Sequence, residues 1–123
     1  MTEPKVYAAV DIGTNSTRLL VCSVTPSPDG TRPELADLER HSIVTRLGDG
    51  VDESGRLSPE AMERVLKVLH DYKKIIDLYP VEAATGVLTS AGRDAANGQE
   101  FCTQILEQTG ISVRLIGGDE EAN

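Results

Sequence analysis

Asp11, Gly13, Thr14, Asn15, Ser16 and Arg18 fall within one short stretch, Tyr7-Ala8-Ala9-Val10-Asp11-Ile12-Gly13-Thr14-Asn15-Ser16-Thr17-Arg18-Leu19-Leu20-Val21. Their types suit an anion. Gly13 lets the chain turn without a side-chain clash, and the amides of Thr14, Asn15 and Ser16, with their short side chains, can converge on a phosphate oxygen. Arg18 offers a forked donor that matches phosphate oxygens. Asp11 offers the hard oxygen ligand that magnesium prefers, directly or through water. Residue types alone leave a second reading open. Gly, Asn and Ser are common turn formers, so Gly13 to Ser16 could be a tight hairpin and nothing more, with Arg18 a strand arginine paired to an acid.

Such a loop needs a strand on each side. Lys5 to Ile12 and Thr17 to Thr25 supply them as an opening hairpin. Both flanks are nearly continuous in apolar residues, the pattern of strands covered by helices on both faces of a sheet. On that reading Asp11 is a carboxylate in a buried strand. It should therefore sit at the strand's end, facing a cation or an ordered water.

Two further groups could do chemistry. Arg93, in Thr89-Ser90-Ala91-Gly92-Arg93-Asp94, is either a second phosphate donor or the partner of Asp94. Glu120 and Glu121 follow the pair Gly117-Gly118. By composition alone they read as acids in the first turn of a helix, where the dipole favours them.

The rest of the chain must position these groups. Pro26-Ser27-Pro28-Asp29-Gly30 breaks regular structure, and Leu35 to Arg46 reads as a third, more exposed strand ending at Leu47-Gly48. Gly48 to Gly55 is a glycine-rich acidic loop without a dinucleotide fingerprint or calcium-loop spacing, and is expected as a flexible surface connection ahead of the alternative, a substrate-facing loop. Ser58-Pro59-Glu60 starts a helix with a capping hydroxyl, proline at the first position and an acid near the positive dipole end. Met62, Val65, Leu66, Leu69, Tyr72, Ile76 and Tyr79 line one face of it up to Pro80. Val81 to Val87 is a strand, so the helix is an α/β crossover, and Thr89 to Arg93 lies at that strand's carboxyl end, where open α/β sheets bind ligands. Asn97-Gly98-Gln99-Glu100 reads as a capping box for a helix with Phe101, Ile105 and Leu106 inward, stopping at Gly110. Ser112 to Ile116 is the last strand. The class is α/β, a mixed sheet of about five strands in the order β-β-β-α-β-α-β with helices packed on it.

Composition bounds the partners. The 123 residues suffice for one domain with a real core. A net charge of −8 argues against nucleic acid and anionic membranes. It does not exclude a phosphate substrate, because exposed charges more than about 10 Å away are screened. No leader or long apolar span appears, which points to the cytoplasm. Cys22 and Cys102 are expected as buried thiols rather than a disulfide or metal pair. His41 and His70 have no neighbouring ligand set and read as structural or solvent-facing.

The stretch Asp11-Ile12-Gly13-Thr14-Asn15-Ser16-Thr17-Arg18-Leu19-Leu20 resembles the first phosphate loop of the exopolyphosphatase and guanosine pentaphosphate phosphohydrolase (Ppx/GppA) family, of the actin, hexokinase and Hsp70 fold group. Three later stretches resemble the same family in the same order: Thr45-Arg46-Leu47-Gly48-Asp49-Gly50-Val51, Thr89 to Asn97, and Ile116-Gly117-Gly118-Asp119-Glu120-Glu121-Ala122. The resemblance implies a ribonuclease H-like lobe that hydrolyses terminal phosphoanhydrides of inorganic polyphosphate, or the 5′-phosphate of guanosine pentaphosphate. It implies phosphate contacts from Gly13, Thr14, Asn15, Ser16, Arg18 and Arg93, and a magnesium ion at Asp11. Gly-Gly-Asp-Glu-Glu-Ala is similar to the family's G-x-E-E-A motif, which makes Glu121 the catalytic acid and Glu120 its support.

Two departures accompany it. Leu88 stands where the family usually has a small alanine, and the sequence stops at Asn123, before the second lobe with its D-I-G-G-G-S-T-E loop. Residues 1–123 are thus expected to form a single N-terminal lobe, one wall of a cleft, inactive alone. The second lobe in cis, and a homodimer of the full-length protein, would be its partners. Two other readings remain: an actin-like ATPase or sugar-kinase lobe, and a non-catalytic phosphate-binding module of the same fold. The retention of Asp11, Arg93 and Glu121 argues against the module.

Overall fold

The computed structural model describes residues 4–28, 30–89 and 95–116. Its strands are β1 (Lys5–Ile12), β2 (Ser16–Thr25), β3 (Glu34–Val44), β4 (Val81–Leu88) and β5 (Ser112–Leu115). Its helices are α1 (Val51–Ser54), α2 (Pro59–Ile76) and α3 (Gly98–Thr109). The strands form one sheet in the order β3-β2-β1-β4-β5. The first three make an antiparallel meander, and β4 and β5 run parallel to β1. This is the ribonuclease H-like α/β arrangement expected from the sequence, and the carboxyl ends of β1, β4 and β5 lie along one edge of the sheet.

Expected strands and helices recur with shifted ends, and each shift has a local cause. β3 stops at Val44 because the next two amides turn away to the first hairpin, Thr45 N–H and Arg46 N–H both donating to Asn15 O. α2 is capped by the Ser58 hydroxyl, which accepts from Ala61 N–H, and carries Pro59 at its start. It ends at Ile76, before Pro80, where Asp77 N–H still donates to Lys73 O at 2.9 Å. Asn97 makes no capping box. Its amide instead accepts from Leu57 N–H at 2.8 Å and donates to Leu57 O at 3.1 Å, pinning the start of α3 to the segment before α2. In α3, Phe101, Ile105 and Cys102 are buried as expected, whereas Leu106, expected inward, is half exposed.

The larger correction concerns the sheet's faces. β1 does not read as buried on both: Ala8, Val10 and Ile12 are buried while Tyr7, Ala9 and Asp11 are exposed. α2 and α3 touch each other and share one apolar core with the buried side of β1 and β2, around Leu19, Val21, Val65, Leu69, Tyr72, Phe101 and Ile105. Among the described residues the opposite face has no helix. Cys22 lies on it and is only half buried, whereas Cys102 is buried, which raises its thiol pKa. Gly86 allows the tight centre of the sheet. A Cβ there would come within 3.1 Å of both Val10 O and Val113 Cγ2.

Candidate functional site

The turn between β1 and β2 closes when Gly13 N–H donates to Ser16 O at 2.9 Å. Ser16, expected in the loop, is the first residue of β2. Two neighbours hold the turn. Thr89 N–H, just beyond β4, donates to Ile12 O at 3.1 Å. On the other side Thr45 N–H and Arg46 N–H converge on Asn15 O at 2.9 and 3.0 Å, and Gly48 N–H donates to Thr14 O at 3.0 Å. Below, Thr17 and Thr45 share a buried hydroxyl bond of 2.8 Å, and the Tyr72 hydroxyl donates to Thr17 O at 2.7 Å. Burial raises the Tyr72 pKa, so it stays a donor.

The carbonyls of Thr14, Asn15 and Ser16 are therefore all occupied by the protein's own N–H groups. Each peptide here is trans. In a trans unit the carbonyl of one residue and the N–H of the next point opposite ways. The Asn15 and Ser16 N–H groups are thus directed away from the 45–48 segment, as an anion cradle requires. A hollow of about 410 Å³ opens there, lined by Asp11, Gly13, Thr14, Asn15, Ser16, Arg18 and Thr89. Asp11 and Arg18 face each other across β1 and β2. No ion pair joins either to another described residue. Asp11 is exposed rather than buried. It belongs to the open face, and water can solvate it without the desolvation cost that a buried carboxylate carries.

Six of the sequence-derived candidates, Gly13, Thr14, Asn15, Ser16, Arg18 and Asp11, are thus brought together. Arg93, Glu120 and Glu121 lie outside the described residues. What is described is where their segments depart. Thr89 lines the hollow, and Ile116 N–H donates to Leu88 O at 3.3 Å, so the last described residue before each of these segments lies at the edge that carries the β1–β2 turn. Leu88, the unusual residue before Thr89, is fully buried beneath that edge. No cluster of three or more His, Cys, Asp or Glu side chains suited to a metal occurs among the described residues. His41 meets Glu39 and His70 meets Gln108. Among the described residues no helix is long and apolar enough to cross a membrane.

A family model described as the Ppx/GppA phosphatase family matches residues 24–123. The chain belongs to the Ppx/GppA phosphatase family. This Ppx/GppA chain is 38% identical over 120 residues to exopolyphosphatase 2 of Mycobacterium tuberculosis, covering 94% of this chain and 37% of that protein. It is 39% identical over 120 residues to a bifunctional 3-dehydroquinate synthase/phosphatase of Fusobacterium nucleatum, covering 94% and 18% respectively. The crystal structure of the Aquifex aeolicus family member superposes with a TM-score of 0.85 at 34% identity, over 97% of this chain and 37% of that one. An exopolyphosphatase from Cytophaga hutchinsonii superposes with a TM-score of 0.81 at 29% identity, over 96% and 36%. The Ppx/GppA chain described here therefore spans little more than a third of the length of the exopolyphosphatases it matches.

Sequence reasoning about this Ppx/GppA lobe missed two participants. Thr89 was legible as the first residue of a strand-end loop, although nothing in its type marked it as a wall of the hollow. The segment Gly48 to Gly55, expected as a flexible connection, is a turn followed by α1 and is bonded to the β1–β2 turn through Gly48. Paired glycines signalled a loop but could not reveal which backbone groups it meets.

Proposed function

We propose that this lobe is one wall of a phosphoanhydride hydrolase cleft. The whole protein would release terminal phosphate from inorganic polyphosphate, or the 5′-phosphate of guanosine pentaphosphate. The supporting observation is the turn whose carbonyls are all held inward while its amides, Arg18 and Asp11 border one hollow at the carboxyl edge of the sheet. Phosphoryl transfer needs mainly positioning and charge stabilisation. The Gly13 to Ser16 amides and hydroxyls would cradle the phosphate, while Arg18 and Arg93 bind its equatorial oxygens. Asp11 is an exposed carboxylate beside this cradle, which fits a magnesium ion that keeps much of its water shell. That ion would neutralise charge on the phosphate oxygens. Glu121, aided by Glu120, would orient and deprotonate the attacking water. The oxygen of that water bonds to phosphorus as the bridging P–O bond breaks toward the departing phosphate chain.

In this reading residues 1–123 are a single N-terminal lobe. A second lobe in cis completes the cleft, and the full-length protein is a cytoplasmic homodimer. The test uses the full-length protein with magnesium and polyphosphate. Glu121→Gln should abolish phosphate release while leaving polyphosphate binding intact, and Asp11→Asn should lower turnover by about 100-fold or more. Unchanged release by both variants would refute the assignment.

A further inference from the structure

The Thr45-Arg46-Leu47-Gly48-Asp49 segment does more than connect β3 to the helices. Its N–H groups donate to the Thr14 and Asn15 carbonyls, and so set which way the Asn15 and Ser16 amides face. Thr45 and Leu47 of this segment are buried while Arg46 and Asp49 are exposed, and the turn closes where Asp49 N–H donates to Arg46 O at 3.1 Å. Arg64, on the exposed side of α2, donates from Nε to Thr45 O at 2.8 Å and from Nη2 to Arg46 O at 3.0 Å, and its Nη2 also reaches Asp49 Oδ2 at 3.3 Å. Arg46 has a φ of 53°, the only positive φ of a non-glycine residue among the described residues. Such a conformation is strained for a residue with a Cβ and persists only where its surroundings enforce it. Here both sides are tied: the Arg46 N–H goes to Asn15 O, and the Arg46 carbonyl accepts from both Asp49 N–H and Arg64, while Thr45 O accepts from Arg64 Nε.

We infer that Arg64 is the positioning residue of the anion site: its forked guanidinium locks the 45–49 turn, and the locked turn aims the Asn15 and Ser16 amides into the hollow. The rival account makes Arg64 a surface partner of Asp49. Both side chains are substantially exposed, 42% and 62%, and that contact is the longest of the three. Exposed pairs of this kind contribute little, so the two carbonyl bonds carry the role. A lysine cannot replace them, because one ammonium on a flexible stem lacks the fixed divergent donors.

The inference rests on the reading that Gly13 to Ser16 bind phosphate, and its test separates the two. In the full-length protein, Arg64→Met, Arg64→Lys and Asp49→Asn are compared by steady-state kinetics on polyphosphate and by amide hydrogen exchange of a peptide covering residues 12–18. Arg64→Met should raise KM by about 10-fold or more with a smaller change in kcat, since misplaced donors lose binding geometry, and should speed exchange in the 12–18 peptide. Arg64→Lys, which keeps the charge and the helix propensity, should fail to restore either. It carries the test if the methionine variant does not fold. Asp49→Asn should leave both readouts near wild type. Unchanged KM and exchange in Arg64→Lys, or equal effects from Asp49→Asn, would overturn the role of Arg64. A wild-type protein that neither binds nor hydrolyses polyphosphate would overturn the phosphate reading, while the exchange measurement would still report on the lock.

Discussion

Leu19 and Leu20 are chain neighbours with the same side chain, yet they sit in different worlds. Leu19 is 1% exposed, in the core against the helices, whereas Leu20 is half buried on the open face. The open face carries a shallow, mostly apolar groove of about 530 Å³ bordered by Ala9, Leu20, Thr85 and Val87, with Asp11 and Arg18 at one end. The same two residues also border the hollow beside the β1–β2 turn. The helix-covered face has given its side chains to packing, so polar groups there occur only with partners, as in the Thr17–Thr45 and Tyr72–Thr17 bonds. The open face is where the fold can leave a carboxylate and a guanidinium uncommitted. Strand alternation thereby separates structural residues from candidate functional ones.

Paired substitutions can break this contrast. Leu19→Asp should cost roughly 4 kcal/mol or more by placing an unpaired charge in the core. Leu20→Asp, one residue away, should stay within about 1 kcal/mol. Urea unfolding midpoints compare them, and equal losses would mean that the faces do not differ. A smaller contrast uses hydrogen bonds. Tyr72→Phe removes one buried bond to the Thr17 carbonyl and should cost about 1 kcal/mol. Arg40→Ala breaks only the exposed pair with Asp37 and should cost less than about 1 kcal/mol.

The smallest effect concerns pH. The Tyr79 hydroxyl, bonded to Glu39 Oε2 at 2.5 Å, and then His41 hold the Glu39 carboxyl below its usual pKa. A carboxylate with a depressed folded pKa adds stability above its unfolded value and loses it as pH falls through the folded value. Stability should therefore decline on the acid side of the ordinary carboxylate range. Tyr79→Phe should flatten that decline, which unfolding midpoints measured across pH would reveal.

The element order, the capped start of α2, the hairpin and its anion-friendly residues were legible in the sequence, because propensity, capping and turn chemistry act over a few neighbouring positions. Alternation was legible in principle too, but alanines and leucines on the open face disguised it, since an apolar residue does not announce whether a helix covers it. Asp11 was misplaced for that reason: it was read as a buried strand-end acid, yet its odd register with Tyr7 and Ala9 puts it on the uncovered side.

Tertiary structure alone decided the rest. Asn97 looked like a helix cap within its own segment, and only the approach of Leu57, 40 positions earlier, turned it into a bridge. Arg64 looked like one more charge on a solvated helix face. What made it more was the 45–49 turn coming within hydrogen-bond reach, 18 and 19 positions away in the chain. Local sequence dictates which backbone groups need partners, while long-range packing selects the partners, because that choice depends on distances no short window of sequence contains.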